Sequence, residues 1–488
     1  MALPEHYAHM RFLNRLEDQQ AATPESKPEK KDFVVELSEE QQHLFDYIES
    51  TQNHIFVTGR AGTGKSTLLS YFIENTHKSV AVCAPTGVAA LNVGGTTIHS
   101  LFTFPLGLLG EVDLGKHLGR RTREVLSAID VLVIDEVSMV SADLMDAISR
   151  AMGIARGKRR VPFGGAQVVM FGDPYQLAPV VTDTERGYFY AGDSGDGYRS
   201  PWFFDAGVWR EAELERYELS QIFRQSDEDF KTILNAIRDG SCTQDMLDEL
   251  NRAGNRWPPH GDVIRLATNN RIVDNVNSSR LAKLDSELKK FHGKFASGDQ
   301  TSFGRALPAE PELSLKVGAQ VMFIKNDDGN LKDSNGTRIR RWVNGTLGHV
   351  VALPSRGGVT VRVEDDTFEV GVSTWEKVRY ETEQEFDENT QKWRDIVVPN
   401  VLAEYQQIPL RLAWAVTVHK SQGQTYDEAQ IDMGSGAFAP GQTYVALSRI
   451  RSLGGLYLTR AIQMRDVQVD PDVIRFMSEH KQITEKLF

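Results

Sequence analysis

The first clear pattern along the chain runs from Ile55 to Ile73. A short apolar, β-branched segment (Ile55, Phe56, Val57) leads into Gly59, Gly62 and Gly64, then into a run with Leu68, Leu69, Tyr71, Phe72 and Ile73 at helical spacing. This predicts a strand, a glycine-rich turn and a helix. Val80 to Ala84 and Val131 to Ile134 are continuous apolar runs, as strands buried on both faces of a parallel sheet are, and Gln167 to Phe171 reads as another strand. They end in Pro85-Thr86-Gly87, Asp135-Glu136 and Gly172-Asp173-Pro174-Tyr175-Gln176. Ligands of open parallel sheets bind outside the carboxyl ends of the strands, so polar groups there are candidates for chemistry. A doubly wound α/β domain is expected over residues 36–215.

Other segments break or extend that rhythm. Residues 1–35 read as an appendage, a helix over His6 to Gln20 followed by the charged, proline-rich TPESKPEKKD. Ser38 suits an N-cap, with Gln41 at the capping-box position. Residues 99–127 read as a small inserted subdomain and 181–205 as a long loop. A second α/β region starts near residue 216, with a helix over Asp229 to Arg238 and a strand over Val263 to Leu266. Period-two alternation with glycine turns over 312–380 predicts a small antiparallel β-barrel. The α/β rhythm returns at Arg411 to Val418, so the barrel is an insertion. The expected division is 1–35, 36–215, a second lobe of 216–290 and 406–488, and an inserted region of 291–405.

Composition narrows the classes. The chain has 488 residues, 40% of them hydrophobic, and a net charge of -12. That charge has the wrong sign for non-specific coating of nucleic acid, although a basic groove on an acidic body is compatible with it. Two cysteines, Cys83 and Cys242, make no disulfide framework and suit a reducing compartment. No apolar run has the length of a membrane span. With acidic residues near the start and no leader pattern, a cytoplasmic protein of prokaryotic or viral type is expected.

The glycine-rich turn carries the strongest chemistry. GRAGTGKS has the full spacing of a nucleoside-triphosphate loop. Gly59, Gly62 and Gly64, with Thr63 and Thr67 beside them, let successive N–H groups face phosphates, and the helix adds its positive end. Lys65 can reach the β- and γ-phosphates, and Ser66 can bind Mg²⁺. Asp135 can hold Mg²⁺ and Glu136 can orient or deprotonate a water. Alone, such a pair could be a plain strand end. Gln176 suits a γ-phosphate sensor, or else a turn. Arg224 and Arg449 could stabilise a phosphoryl-transfer transition state from a second domain, or be ordinary surface arginines. Pro85, Thr86, Gly87, His99, Thr417, His419 and Lys420 lie at strand ends or loops that would share one rim, with chemistry suited to nucleic acid. The basic runs at 116–123, 156–160 and 338–341 are either solvated faces or nucleic-acid contacts.

Nine ordered motifs carry a family resemblance. They are LSEEQ, TGRAGTGKST, APTGVAALNVGGTTIHSLF, VLVIDEVSMV, PFGGAQVVMFGDPYQLAPV, LSQIFRQ, LKVGAQVMFIKN with VNGTLG, LAWAVTVHKSQGQT and GQTYVALSR. Over residues 36–465 the chain resembles the petite-integration-frequency branch of superfamily 1 helicases, relatives of RecD that move 5′ to 3′. The resemblance implies two RecA-like P-loop lobes, a wedge near 99–127 and a Src-homology-type barrel in the second lobe. It implies Gln41 as adenine reader, Gln176 as γ-phosphate sensor, and Arg224 and Arg449 as arginine fingers. ATP and Mg²⁺ are the implied cofactors. Single-stranded DNA and 5′-tailed duplexes are the implied partners, with G-quadruplexes and RNA–DNA hybrids as further substrates and a monomer as the simplest state. The alternatives are a RecD-like repair subunit, a P-loop phosphotransferase and an ATP-switched clamp. ATPase assays with and without single-stranded DNA, and unwinding lost with Lys65→Ala, separate them.

Overall fold

The four apolar segments of the first half join two more polar strands in one parallel sheet. They are β1 (Ile55–Gly59), β2 (Val80–Ala84), β3 (Thr96–Thr97), β4 (Val131–Ile134), β5 (Gln167–Phe171) and β6 (Glu215–Leu219). Their order is β3-β2-β4-β5-β1-β6, and every pairing is parallel. β1, β4 and β5 are buried along their whole length, as their mainly apolar sequences favour. This computed structural model describes residues 36–190, 197–225, 227–303, 307–327, 331–332, 338–354, 358–387 and 391–479. The helix expected over His6 to Gln20 lies outside them.

Helix α1 (Glu39–Ser50) starts at a complete capping box, with Ser38 Oγ accepting from Gln41 N and Gln41 Oε1 from Ser38 N. Helix α2 (Lys65–Asn75) starts at left-handed Gly64, and α3 (Gly87–Asn92) at Thr86, whose side chain accepts from Ala89 N. The segment 99–127 holds short helices over Ile98–Phe102, Leu114–His117 and Arg120–Ser127, followed after β4 by helix α4 (Ala142–Ala155). Phe102, Phe104, Leu109, Leu114 and Leu118 join the core on the α4 side of the first sheet.

A second parallel sheet has the order Ala415–Thr417, Ile264–Ala267, Ala429–Asp432, Leu456–Leu458. Helices α5 (Glu228–Asp239) and α6 (Gln442–Leu447) pack on its core. The fold is therefore mixed α/β with parallel sheets. Between its halves, Gln320–Phe323, Leu347–Ala352, Val359–Val363, Asp366–Val370 and Leu410–Leu412 form a five-stranded antiparallel sheet. The expected barrel is not closed. Asp366–Val370 and Leu410–Leu412 are its two edges among the described residues, and alternation along the chain does not specify whether such edges meet. A separate compact unit contains the antiparallel pair Leu331–Lys332 and Arg338–Ile339.

A long hairpin, Ser373–Asp387 with Lys392–Gln407, leaves this region and docks on the first sheet. The reason is an incomplete sheet edge. β3 pairs only with Cys83 and Ala84, so Val82 needs other partners. The Tyr380 hydroxyl accepts from Val82 N at 2.9 Å and donates to Val82 O at 3.4 Å, and Val397 N donates to Ser79 Oγ at 2.8 Å.

Two segments sit where sequence order does not suggest. Helix α7 (Pro471–Glu479), expected with the second lobe, packs Val473 and Phe476 into the first core. The expected long loop at 181–205 holds a helix over Arg186–Phe189 and buries Phe189, Trp202, Phe203 and Phe204, because Phe203 and Phe204 are the surfaces that Phe476 covers. Among the described residues no helix is long and apolar enough to cross a membrane.

Candidate active site at the seam of two sheets

The loop after β1 folds tightly enough to require its glycines. Gly59, Gly62 and Gly64 all have positive φ, at 152°, 86° and 79°. A Cβ on Gly62 would lie 2.3 Å from Arg224 Cβ, and one on Gly64 2.4 Å from the Gln41 amide nitrogen. Lys65 Nζ turns back onto the carbonyls of Gly59 (2.6 Å) and Arg60 (3.1 Å). Gln41 Nε2 donates to the carbonyls of Thr63 (3.4 Å) and Gly64 (3.3 Å). Thr63 is buried, its hydroxyl on Arg60 O, while Ser66 and Thr67 are exposed on the first turn of α2. Gln41 thus serves the α1 cap with its oxygen and the loop with its nitrogen.

Asp135 and Glu136 follow β4 directly, Glu136 in the left-handed region at φ 51°. Burial, with Glu136 beside it, pushes the Asp135 carboxyl up to about 7. Burial also raises Glu136, against the pull of Lys65 and Arg449. Lys65 and Arg449 are lowered, again mainly by burial. Glu136 therefore lies in the field of a lysine from the first sheet's loop and an arginine from the second core.

The second half reaches this crevice through Arg224 and Arg449. Arg224 donates to the carbonyls of Ser448 (3.3 Å) and Gly423 (3.2 Å), and burial, then Arg449, lowers it to about 9. Arg449 is almost fully buried and donates to Val445 O (3.0 Å), Ser421 O (3.4 Å) and Ser448 Oγ (2.9 Å). Gln176 Nε2 donates to Asp173 Oδ2 at 3.4 Å, and its Oε1 accepts from Gln422 at 3.5 Å. These contacts bring Lys65, Glu136, Gln176, Arg224 and Arg449 to one seam.

The nucleic-acid candidates stand in two groups. Pro85, Thr86 and Gly87 follow β2, and His99 lies on the nearby helix, next to Ser100, which accepts from Lys377 of the hairpin at 3.4 Å. Thr417 ends its strand and caps a turn, accepting from Lys420 N at 3.2 Å, while His419 and Lys420 are exposed. Partial burial lowers His99, and the protein packed around the stems of His419 and Lys420 lowers those two although their side chains reach the surface, with Arg411 adding to the effect on Lys420. The basic runs are partly structural. Arg121 pairs with Glu381 and Arg120 with Glu124, and Arg156 donates to Ser127 O, Ile129 O and Gly164 O.

Sequence reasoning missed several residues at the seam. Phe223 is half exposed beside Gly64 and Gln41, and its N–H donates to Gly62 O at 2.8 Å. Tyr444, Asp173 and Arg238 connect the two cores. Arg224, immediately after Phe223, was a signal for it; Arg238 read as the end of an ordinary helix, and Tyr444 stood in GQTYVALSR with no role assigned.

The residues suit ATP and Mg²⁺. The glycine cradle leaves no room for side chains, and its backbone can approach phosphates. Among the described residues no cluster of three ligating side chains occurs, but Mg²⁺ needs only one or two protein oxygens besides phosphate and water. Ser66 and Asp135 offer those oxygens.

A family model described as PIF1-like helicase matches residues 36–248. The chain is 32% identical to the ATP-dependent DNA helicase Pif1 of Bdellovibrio bacteriovorus, over 91% of this chain and 92% of that one. It is 35% identical to the ATP-dependent DNA helicase PIF1 of Rattus norvegicus over 93% of its own length, and spans 63% of that longer protein. The crystal structure of Bacteroides sp Pif1 in complex with ADP-AlF4 matches with a TM-score of 0.78 at 34% identity, covering 92% of this chain and 97% of that one. Bacteroides Pif1 bound to ssDNA matches with a TM-score of 0.62 at 34% identity, covering 93% and 100%.

Proposed function

Because this chain belongs to the PIF1-like helicase family, we propose that it is an ATP-driven DNA helicase that moves 5′ to 3′ on single-stranded DNA and opens duplexes. The observation that carries the reading is the position of Glu136 in the field of both Lys65 and Arg449. A nucleotide in that seam touches both halves, so its hydrolysis changes how they are held together.

The roles follow from chemistry. Lys65 and the amides of the loop bind the phosphates, while Gln41 and Phe223 bracket the adenine side. Ser66 and Asp135 would hold Mg²⁺, which supplies charge neutralisation on the phosphate oxygens. Glu136 orients the attacking water and Gln176 reads the γ-phosphate. Arg224 and Arg449 stabilise charge on the transferring phosphoryl group. The hydrogen bonds to Ser448 and Gly423 use two of the five N–H donors of Arg224, and those to Val445, Ser421 and Ser448 use three of Arg449, so both guanidinium groups keep donors for phosphate.

DNA would run along the carboxyl ends of both sheets, past Pro85, Thr86, Gly87 and His99 on one side and Thr417, His419 and Lys420 on the other. In this reading residues 36–215 form the first RecA-like lobe and 99–127 its wedge. Residues 216–290 and 406–488 form the second lobe, and 291–405 the inserted module with its barrel-like sheet. G-quadruplexes and RNA–DNA hybrids are further substrates, and the motor is a cytoplasmic monomer.

Strand displacement tests the proposal. A duplex with a 5′ single-stranded tail is opened in the presence of ATP and Mg²⁺, and one with only a 3′ tail is not. Rates fall steeply with added salt, because phosphate contacts release counterions. Equal opening of both substrates contradicts the direction, and opening of neither contradicts the activity.

A further inference from the structure

Tyr444 holds one amide of the phosphate loop. Ala61 N donates to the Tyr444 hydroxyl at 2.9 Å. Ala61 belongs to the loop after β1, whereas Tyr444 is on α6, buried in the second core. Ala61 itself packs into that second core. The rest of the loop is held by protein groups in the same way: Lys65 by the carbonyls of Gly59 and Arg60, Gln41 on Thr63 O and Gly64 O, and Phe223 N on Gly62 O. A loop of this kind presents its N–H groups to phosphate. Here one of them is satisfied by a side chain from the opposite half.

We propose that Tyr444 is a positioning residue, a latch whose hydroxyl competes with phosphate for the loop by tying Ala61 N–H to the second core, and which lets the loop go when ATP enters. The inference rests on the reading of this loop as the ATP site. Phosphate draws Lys65 off the Gly59 and Arg60 carbonyls and turns the loop N–H groups toward itself. Ala61 lies between those positions and moves with them, away from the hydroxyl. Helix α6 runs straight on into Ser448 and Arg449, so freeing Tyr444 moves the same short element that ends at Arg449. The latch opposes nucleotide entry and links it to the placement of the arginine.

The test is Tyr444→Phe, which keeps the buried ring and removes only the hydroxyl. The nucleotide-free state then has an unsatisfied Ala61 N–H, and the nucleotide-bound state loses nothing. Binding of a fluorescent ATP analogue with Mg²⁺ and no DNA tightens about five-fold, the worth of one buried hydrogen bond, and the KM for ATP falls in parallel. A merely structural defect weakens binding, so a gain separates the two. Tyr457→Phe, which removes a hydroxyl elsewhere on the second sheet, bonded to Glu428, leaves affinity at the wild-type value. A folded Tyr444→Phe protein, by circular dichroism, that binds nucleotide no more tightly than wild type overturns the latch. A wild type that binds no nucleotide, or binds it unchanged after Lys65→Ala, overturns the site reading instead.

Discussion

Arg238 and Asp173 form a buried ion pair, Nη2 to Oδ1 at 3.1 Å, that joins helix α5 of the second core to the end of strand β5 in the first sheet. The guanidinium also reaches Glu218 at 3.3 Å and lies 4.3 Å from the Tyr175 ring centre. Asp173 in turn accepts from the Gln176 amide. Removing one partner leaves a buried charge without its counterion. Arg238→Met is therefore expected to destabilise the protein by about 3–5 kcal/mol, read as a lower midpoint in urea. Asp173→Asn in the same chain recovers part of that loss, because the stranded carboxylate is gone.

How much of this was legible beforehand depends on distance along the chain. The loop from Gly59 to Ser66 and the Asp135-Glu136 pair were readable because a strand end and its chemistry are contiguous. Arg224 and Arg449 were readable as candidates, and their convergence on the Glu136 crevice was implied by the family resemblance, since nothing local to either residue marks it. No role was legible for Tyr444, although it lies in the quoted GQTYVALSR, or for Arg238, since their partners Ala61 and Asp173 lie in the other half. The aromatic residues at 202–204 read as loop for a similar reason. Phe476, which covers two of them, is more than two hundred residues away. The alternation over 312–380 specified antiparallel strands, whereas closure depends on how the edge strands pack.

Phe476 stacks on Phe204 with ring centres 4.2 Å apart, and its edge meets Phe203 and Trp209. Phe476→Ala removes a buried ring from this cluster. The expected cost is about 3–5 kcal/mol. Thermal melting should show it, together with faster protease cleavage at the C-terminal helix, whose other first-core anchor is Val473.

The pH dependence of stability has an identifiable contributor in His54. Its Nδ1 accepts from Val168 N at 3.2 Å and its ring packs on the edge of Phe163, so the neutral form is the one that fits. Burial lowers it from 6.5 to about 4. Between those values the unfolded chain binds a proton that the folded chain does not. Stability therefore falls as pH drops from 6.5 toward 4, and is insensitive to this group above 6.5. His54→Asn is expected to flatten the urea midpoint across that window relative to wild type. An unchanged slope would assign the effect to other groups.

In the proposed motor a nucleotide at the seam is served by Lys65 from one side and Arg449 from the other. Steady-state ATP hydrolysis by Arg449→Ala, with and without saturating single-stranded DNA, tests it most directly. DNA-stimulated turnover is expected to fall by about a thousand-fold, as loss of a transition-state arginine does, while nucleotide binding persists. Turnover by Arg449→Ala that is undiminished and still stimulated by DNA would contradict it.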